Sequence, residues 1–264
     1  MDLDFSCKFS EKGDISPKIM EILGLDFAKI YDDKNNIIRI ASAIKAENNN
    51  KTMVLPFCHT VEAKAMGGDI RPGDDTAGPR PGSYVYSNLE EIKKISVMDN
   101  PDAKRLLQSC ADLKHQGENV VFMITGPISI LSSIMDLTVV FKAWRKNPDL
   151  LSEVFGVISE MLLEFVKEIS AAGADIISFA DPAGNPDILG GKYTASLAEM
   201  FLLPFLTKAI EVCGDSTTIC LCPLAAATLS KMNLIKLETS GNGQLACSCV
   251  KKMPETIIKH FSLS

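Results

Sequence analysis

Two Cys-x-Cys pairs near the end of the sequence are the residues best suited to chemistry. Cys220 and Cys222 close the stretch TICLC, and Cys247 and Cys249 lie in LACSC. Alternate residues of a β-strand point to the same face, so each pair would aim two sulfur atoms at one place. That geometry suits Zn²⁺, which binds cysteine thiolates in a tetrahedron. The alternative is that these cysteines are small buried hydrophobic residues.

Two polar residues follow predicted strands and are candidates for binding a substrate. His59 comes just after MVLPF, and Asp181 directly follows DIISFA. Barrel enzymes place their active sites at the C-terminal ends of their strands, where both residues would lie. His59 would either reach such a site or serve as a capping or surface residue. Asp181 would either contact substrate or metal, or cap the segment that follows it.

The elements that must position these residues alternate along the chain. Short apolar runs typical of buried parallel strands occupy residues 3–9, 53–57, 120–125, 175–180 and 217–221. Helical patterns begin at Ser16-Pro17 and cover residues 148–171 and 195–212. The order predicts an α/β fold, with a (β/α)8 TIM-type barrel as the leading architecture, in one domain spanning residues 1–264. The Gly- and Pro-rich residues 67–86 predict a loop or small hairpin over one end of the barrel.

The charge of the chain and the motifs it lacks disfavour several classes of protein. The chain has 264 residues and a net charge of −6, which disfavours nucleic-acid and membrane-surface binding. The sequence contains no apolar run long enough to span a bilayer and no secretory signal, so we expect a cytoplasmic protein with reduced thiols. Dinucleotide-binding and phosphate-binding glycine motifs and a serine nucleophile elbow are also missing from the sequence.

Four stretches carry a resemblance to a known family. PFCHTVEAKAMGGDI, TGPISILSSIMD, GADIISFADPAGNPDIL and FLLPFLTKAI resemble the uroporphyrinogen decarboxylase superfamily, and within it the methylcobamide:coenzyme M methyltransferase branch. The arginine-containing glycine motif of the true decarboxylases is missing, so decarboxylation is not expected. The resemblance implies a (β/α)8 barrel in which zinc activates a small thiol substrate such as coenzyme M. The thiol would take a methyl group from a methyl-corrinoid that a partner corrinoid protein carries.

The resemblance also implies the metal ligands. Cys220 stands where the family has histidine, and Cys222 matches the family's cysteine. Cys249 matches the distant third ligand when GQLAC is aligned without a gap, whereas Cys247 does so if the register is set from the helix near Pro254. A cysteine in the histidine position adds negative charge to zinc, which weakens activation of the thiol.

The last third of the sequence departs from a complete barrel. The predicted strands at residues 233–238 and 243–248 are joined only by TSGN, whereas a parallel crossover needs about a dozen residues. They would therefore form an antiparallel hairpin, or one of them is not a strand. A shortened barrel would expose a sheet edge that a second copy of the chain could cover. The competing interpretation is a non-catalytic barrel that binds a corrinoid, a tetrapyrrole or a partner domain.

Overall fold

The computed structural model describes residues 15–74 and 77–221. The helices of this part are α1 (Pro17–Leu23), α2 (Lys34–Asn48), α3 (Val61–Ala65), α4 (Pro101–His115), α5 (Pro127–Ile134), α6 (Leu137–Lys146), α7 (Pro148–Ala171), α8 (Pro186–Leu197) and α9 (Leu203–Cys213). Its strands are β1 (Met53–Leu55), β2 (Ile70–Arg71), β3 (Arg80–Pro81), β4 (Val120–Thr125), β5 (Ile176–Ala180) and β6 (Thr218–Leu221). The predicted strands at residues 3–9, 233–238 and 243–248 lie outside the described residues.

The main sheet is parallel, as the buried apolar runs predicted. Its strands lie in the order β1-β4-β5-β6, and every neighbouring pair is parallel. Helices α4, α7 and α9 precede β4, β5 and β6 along the chain, which gives the alternating pattern of a (β/α) fold. Across the described residues the sheet has these four strands and does not close into a barrel.

Local sequence signals account for the helix ends. The Ser16 hydroxyl accepts a hydrogen bond from the Ile19 amide at the start of α1, and Gly24 ends that helix with φ at +61°. The long helix α7 starts at Pro148 after an Asn147 cap and buries one stripe of nine apolar residues. Both features confirm the sequence predictions.

The predicted helix over residues 195–212 is longer and less regular than expected. It starts at Pro186, is kinked at Gly190, and contains a π-helical turn, Ala198–Leu202, between α8 and α9. Pro204 explains the irregular turn, because proline has no N–H to donate to the preceding turn of an α-helix. The kink at Gly190 has a φ of +71°, a backbone conformation that favours glycine.

The Gly- and Pro-rich segment forms the small hairpin that the sequence allowed. β2 and β3 pair antiparallel within residues 67–86, with Ile70 opposite Pro81. The Tyr86 hydroxyl donates a hydrogen bond to the Met66 carbonyl, which ties the end of this segment back to the end of α3. Among the described residues, no helix combines the length and the hydropathy needed to cross a membrane.

The two faces of the main sheet have different neighbours. Phe122, Ile177 and Phe179 are fully buried in the hydrophobic core that the helices complete. The intervening residues Ser178 and Cys220 are also buried but do not belong to that core. Since side chains alternate along a strand, Ser178 and Cys220 lie on the face of the sheet opposite to this core, which is named the inward face.

Because Phe122 is fully buried in the core, removing its ring should lower the stability of the protein substantially. Phe122 packs edge-on against Phe165 with ring centroids 5.4 Å apart. We expect Phe122→Ala to lower the free energy of unfolding by about 3–5 kcal/mol, measured by urea denaturation. Ile188→Ala is the control, since that side chain is 58% exposed and should cost less than about 1 kcal/mol. Equal losses in the two variants would contradict this assignment of the core.

Candidate functional site

The polar residues predicted from the sequence lie at the carboxyl ends of the main strands. His59 follows β1, Asp181 directly follows β5, and Cys220 lies near the end of β6. The structure brings His59 into contact with Thr125 at the end of β4, and Asp181 into contact with Ser129 at the start of α5. Cys222 and Cys249, and the alternative ligand Cys247, lie outside the described residues.

The buried side chain of Tyr31 holds the loop that carries His59. The Tyr31 hydroxyl accepts a hydrogen bond from the Phe57 amide at 2.8 Å and lies 3.3 Å from the Cys58 sulfur. The same sulfur lies 3.1 Å from the Thr60 hydroxyl. Burial raises the pKa of both Tyr31 and Cys58, so both groups stay protonated at neutral pH. These contacts fix the backbone on both sides of His59.

His59 is a neutral imidazole in contact with the end of β4. Its Nδ1 lies 3.2 Å from the Thr125 hydroxyl oxygen. Burial lowers the pKa of the ring to about 4, because a charged imidazolium would lose its hydration there. At neutral pH His59 therefore has one protonated and one unprotonated ring nitrogen, and it can act as both donor and acceptor.

Glu62 is a buried carboxyl group that the sequence reasoning missed. Its side chain is fully buried, and its Oε1 accepts a hydrogen bond from the Thr125 amide at 2.8 Å. Its Oε2 is buried and has no hydrogen-bond partner among the described residues. Burial raises the pKa of Glu62 to about 7, although the hydrogen bonds from Thr125 oppose the shift. The group therefore titrates close to neutral pH.

Asp181 anchors the helix that follows the neighbouring strand. Its Oδ2 accepts a hydrogen bond from the Ile128 amide, and its Oδ1 accepts two, from the Ser129 amide and hydroxyl, at 3.1, 2.8 and 2.6 Å. The Ser129 hydroxyl in turn accepts from the Ala183 amide at 2.9 Å. Burial raises the pKa of Asp181, while these hydrogen bonds lower it. Asp181 thus caps the start of α5, while its expected contact with substrate or metal stays a prediction.

Cys220 is a buried thiol on the inward face of the sheet, paired in register with Ser178 of β5. Burial raises its pKa to about 11, so the free side chain is a thiol and not a thiolate at neutral pH. Its donor type and position fit a soft metal ion. Both oxygens of Asp181 already accept hydrogen bonds, so that carboxyl group is poorly suited to be a ligand.

No group of three histidine, cysteine or acidic side chains within residues 15–74 and 77–221 could hold a metal ion. Of the predicted zinc ligands, Cys220 is the member that this part of the chain contains. The zinc site, and the roles of His59 and Asp181 toward a substrate, stay predictions.

The bond network around Asp181 predicts a measurable role for Ser129. Ser129→Ala removes the hydroxyl that donates to Asp181 and accepts from Ala183, so we expect a loss of about 1–3 kcal/mol in the free energy of unfolding. Ser132→Ala is the matched control, because within the described part of the chain its hydroxyl donates to a backbone oxygen of the same helix and to no other element. Denaturation curves that overlay for the two variants would show that the network does not stabilise the fold.

The buried carboxyl of Glu62 predicts a pH-dependent difference from Glu62→Gln. The native state holds the proton up to a pKa of about 7, whereas the unfolded chain releases it near its ordinary value of 4.5. Stability that is present at low pH is therefore lost as pH rises through this window. Relative to the variant, we expect the parent protein to lose about 3 kcal/mol between about pH 4.5 and 7. A pH-independent difference between the two proteins would refute this assignment.

Comparison with known proteins agrees with this architecture. The family model described as Uroporphyrinogen decarboxylase (URO-D) matches residues 15–239. The methylcobamide:CoM methyltransferase MtaA of Methanosarcina barkeri (strain Fusaro / DSM 804) is 22% identical over 236 residues, which are 86% of this chain and 66% of that protein. The methylcobamide:CoM methyltransferase MtbA of Methanosarcina mazei is 23% identical over 230 residues, 79% of this chain and 65% of that protein.

A solved structure shares the fold. The chain superposes on a methyltransferase from Methanosarcina mazei with a TM-score of 0.70 at 22% identity, covering 87% of this chain and 68% of the other. The chain thus spans about two thirds of the length of MtaA and MtbA. The family match covers most of the sequence, and the resemblance inferred from its motifs is confirmed. This chain belongs to the uroporphyrinogen decarboxylase family.

Proposed function

We propose that this chain transfers a methyl group from a methyl-corrinoid, carried by a partner corrinoid protein, to a small thiol such as coenzyme M. The observation that carries the proposal is the place of Cys220, a buried thiol on the inward face near the carboxyl end of β6. The names of the relatives MtaA and MtbA, methylcobamide:CoM methyltransferases, supply the reaction class.

The proposed zinc ligands are Cys220, Cys222 and Cys249, with Cys247 as the alternative third ligand. Cys222 follows Cys220 by two residues, so strand alternation predicts that the two sulfurs share a face. The bound metal would favour ionisation of the thiol substrate. Burial raises the pKa of Cys220 to about 11, so this ligand must lose its proton when the metal binds. Metal affinity should therefore rise with pH.

The transfer itself balances without a further reactant. The substrate thiolate attacks the methyl carbon, a carbon–sulfur bond forms, and the cobalt–carbon bond breaks with its electron pair left on cobalt. The chain would contribute a rigid, partly dehydrated site for this step. Asp181 fixes the start of α5 through two amides and a hydroxyl, and His59 offers a neutral ring for hydrogen bonding to the substrate. We propose that both residues line the substrate cavity.

The test is zinc content together with methyl transfer in two cysteine variants. We expect about one zinc per chain in the parent protein purified without added metal. Cys220→Ser should lower zinc affinity by more than about tenfold, and methyl transfer from methylcobalamin to coenzyme M should fall with it. Cys213→Ser is the matched control, since Cys213 is also a buried thiol but belongs to α9 and not to the proposed ligand set.

Two results would count against the proposal. If folded parent protein contains no zinc, the proposed zinc site is wrong. That result would favour a barrel that binds a corrinoid or a partner without catalysis. Equal zinc content in the Cys220 and Cys213 variants would remove Cys220 from the ligand set.

A further inference from the structure

We propose that a cleft beside the loop of His59 binds a small apolar α-amino acid. The cleft is lined by residues from the turn Phe27–Lys29 and the segment after it, from α3, and from the hairpin segment. Its open volume is about 430 Å³. Pockets for small molecules span about 300–1,000 Å³, so this cleft suits a small ligand. The inference is independent of the proposed methyl transfer, because Cys220 does not line the cleft.

Most of the cleft lining is apolar. Ile70, Pro72 and Pro79 come from the hairpin segment, and Ile30 comes from the segment before α2. Contact with these side chains would remove the apolar surface of a ligand from water, which favours binding in proportion to the area covered. The lining is therefore suited to an aliphatic group.

Lys64 supplies the positive charge in the cleft. Its ammonium group donates to Asp102 Oδ2, and the Arg105 guanidinium donates to Asp102 Oδ1 at 2.7 Å. Because two cations share one carboxylate, the three side chains together carry one net positive charge. The Asp102 side chain is 8% exposed, whereas the Lys64 side chain is 43% exposed. An ammonium group has three hydrogens to donate, so Lys64 can bind a ligand carboxylate as well as Asp102.

Asp32 supplies the negative charge in the same cleft. The residue is exposed, and within residues 15–74 and 77–221 its carboxylate pairs with no lysine or arginine. An unpaired carboxylate is a partner for a ligand ammonium group. With Asp32 included, two carboxylates face two cations, so the charges of the cleft balance. A ligand without net charge is therefore favoured over a simple anion or cation.

A free α-amino acid with an aliphatic side chain fits all three features. Its carboxylate would bind Lys64, its ammonium group would bind Asp32, and its side chain would contact the apolar lining. A fatty acid would leave Asp32 without a partner, and an alkylamine would leave the spare hydrogens of Lys64 without one. The charges therefore select an amino acid over either of these simpler molecules.

The cleft adjoins the loop that carries His59 through two of its lining residues. Tyr31 and Thr60 line the cleft, and their hydroxyl oxygens lie 3.3 and 3.1 Å from the Cys58 sulfur. The Tyr31 hydroxyl also accepts the Phe57 amide hydrogen. A ligand that binds only the folded cleft opposes local opening of this region. Saturation with ligand should therefore slow hydrogen exchange of the Phe57 amide.

The test is isothermal titration calorimetry of the full chain with four probes. L-leucine carries all three parts of the proposed ligand. By comparison, 4-methylpentanoate lacks the ammonium group, 3-methylbutylamine lacks the carboxylate, and glycine lacks the side chain. We expect saturable binding of L-leucine, and binding that is weaker by about tenfold or more for each of the other three probes.

Two variants locate the binding site on the protein. Lys64→Met removes the ammonium group and leaves Asp102 paired with Arg105, and Asp32→Asn removes the charge of the second partner. Each should weaken L-leucine binding by about tenfold or more. Lys104→Met is the matched control, since Lys104 is exposed on α4 and does not line the cleft, and it should bind L-leucine like the parent.

Three results would overturn the proposal. The first is the lack of saturable L-leucine binding by the folded parent protein. The second is an affinity for 4-methylpentanoate or 3-methylbutylamine equal to that for L-leucine. The third is parent-like affinity in either variant that circular dichroism shows to be folded. Because Lys64 and Asp32 lie in different segments, one folded variant is enough for this decision.

Discussion

The carboxyl ends of the parallel strands depend on two carboxyl groups that satisfy backbone amides. A buried N–H without an acceptor costs free energy comparable to a lost hydrogen bond. β1 pairs with β4 only as far as Leu55 opposite Phe122, so the Thr125 amide lies beyond the last strand partner and Glu62 accepts it. Asp181 does the same for the first turn of α5, where amides point outward without acceptors. Glu62 is fully buried and Asp181 is half-buried, so each carboxyl group needs these donors as much as the donors need it.

The Asp181 anchor also explains two glycines in the family motifs. A Cβ on Gly126 would lie 2.5 Å from the Cβ of Asp181, and one on Gly184 would lie 2.6 Å from its Oδ2. Neither distance is compatible with a larger residue, and the displaced atoms belong to a side chain held by three hydrogen bonds. The motif TGP therefore encodes a close approach of two strand ends, and PAGN encodes a tight turn against the side chain of Asp181. A motif that identifies the family can thus report packing as directly as it reports chemistry.

Much of the fold could be predicted from sequence because its signals are local. The runs that form β1, β4, β5 and β6 are apolar and bounded by turn residues, and α7 shows an apolar residue every three or four positions. Glu62 could not be predicted, because a glutamate in the helical stretch VEAKA is normally exposed, and it is buried by the packing of α3 against other elements, among them α5 and the turn Val97–Asp99. Ser129 was not predicted either, because its partners Asp181 and Ala183 are distant in the sequence. The hydrogen bonds from Asp181 to the start of α5 could not be predicted either, because they depend on the position of α5.

The strand register orders the candidate site residues along the inward face of the sheet. The register places Met123, Ser178 and Cys220 at one level across the sheet, and Thr125 and Ala180 one level nearer the carboxyl edge. Four of these five side chains are small, namely Ser178, Cys220, Thr125 and Ala180. A ligand approaching Cys220 from the carboxyl edge would pass Thr125 and Ala180. The threonine that Glu62 and His59 both contact thus lies on the carboxyl-edge side of the proposed metal ligand, on the same face of the sheet.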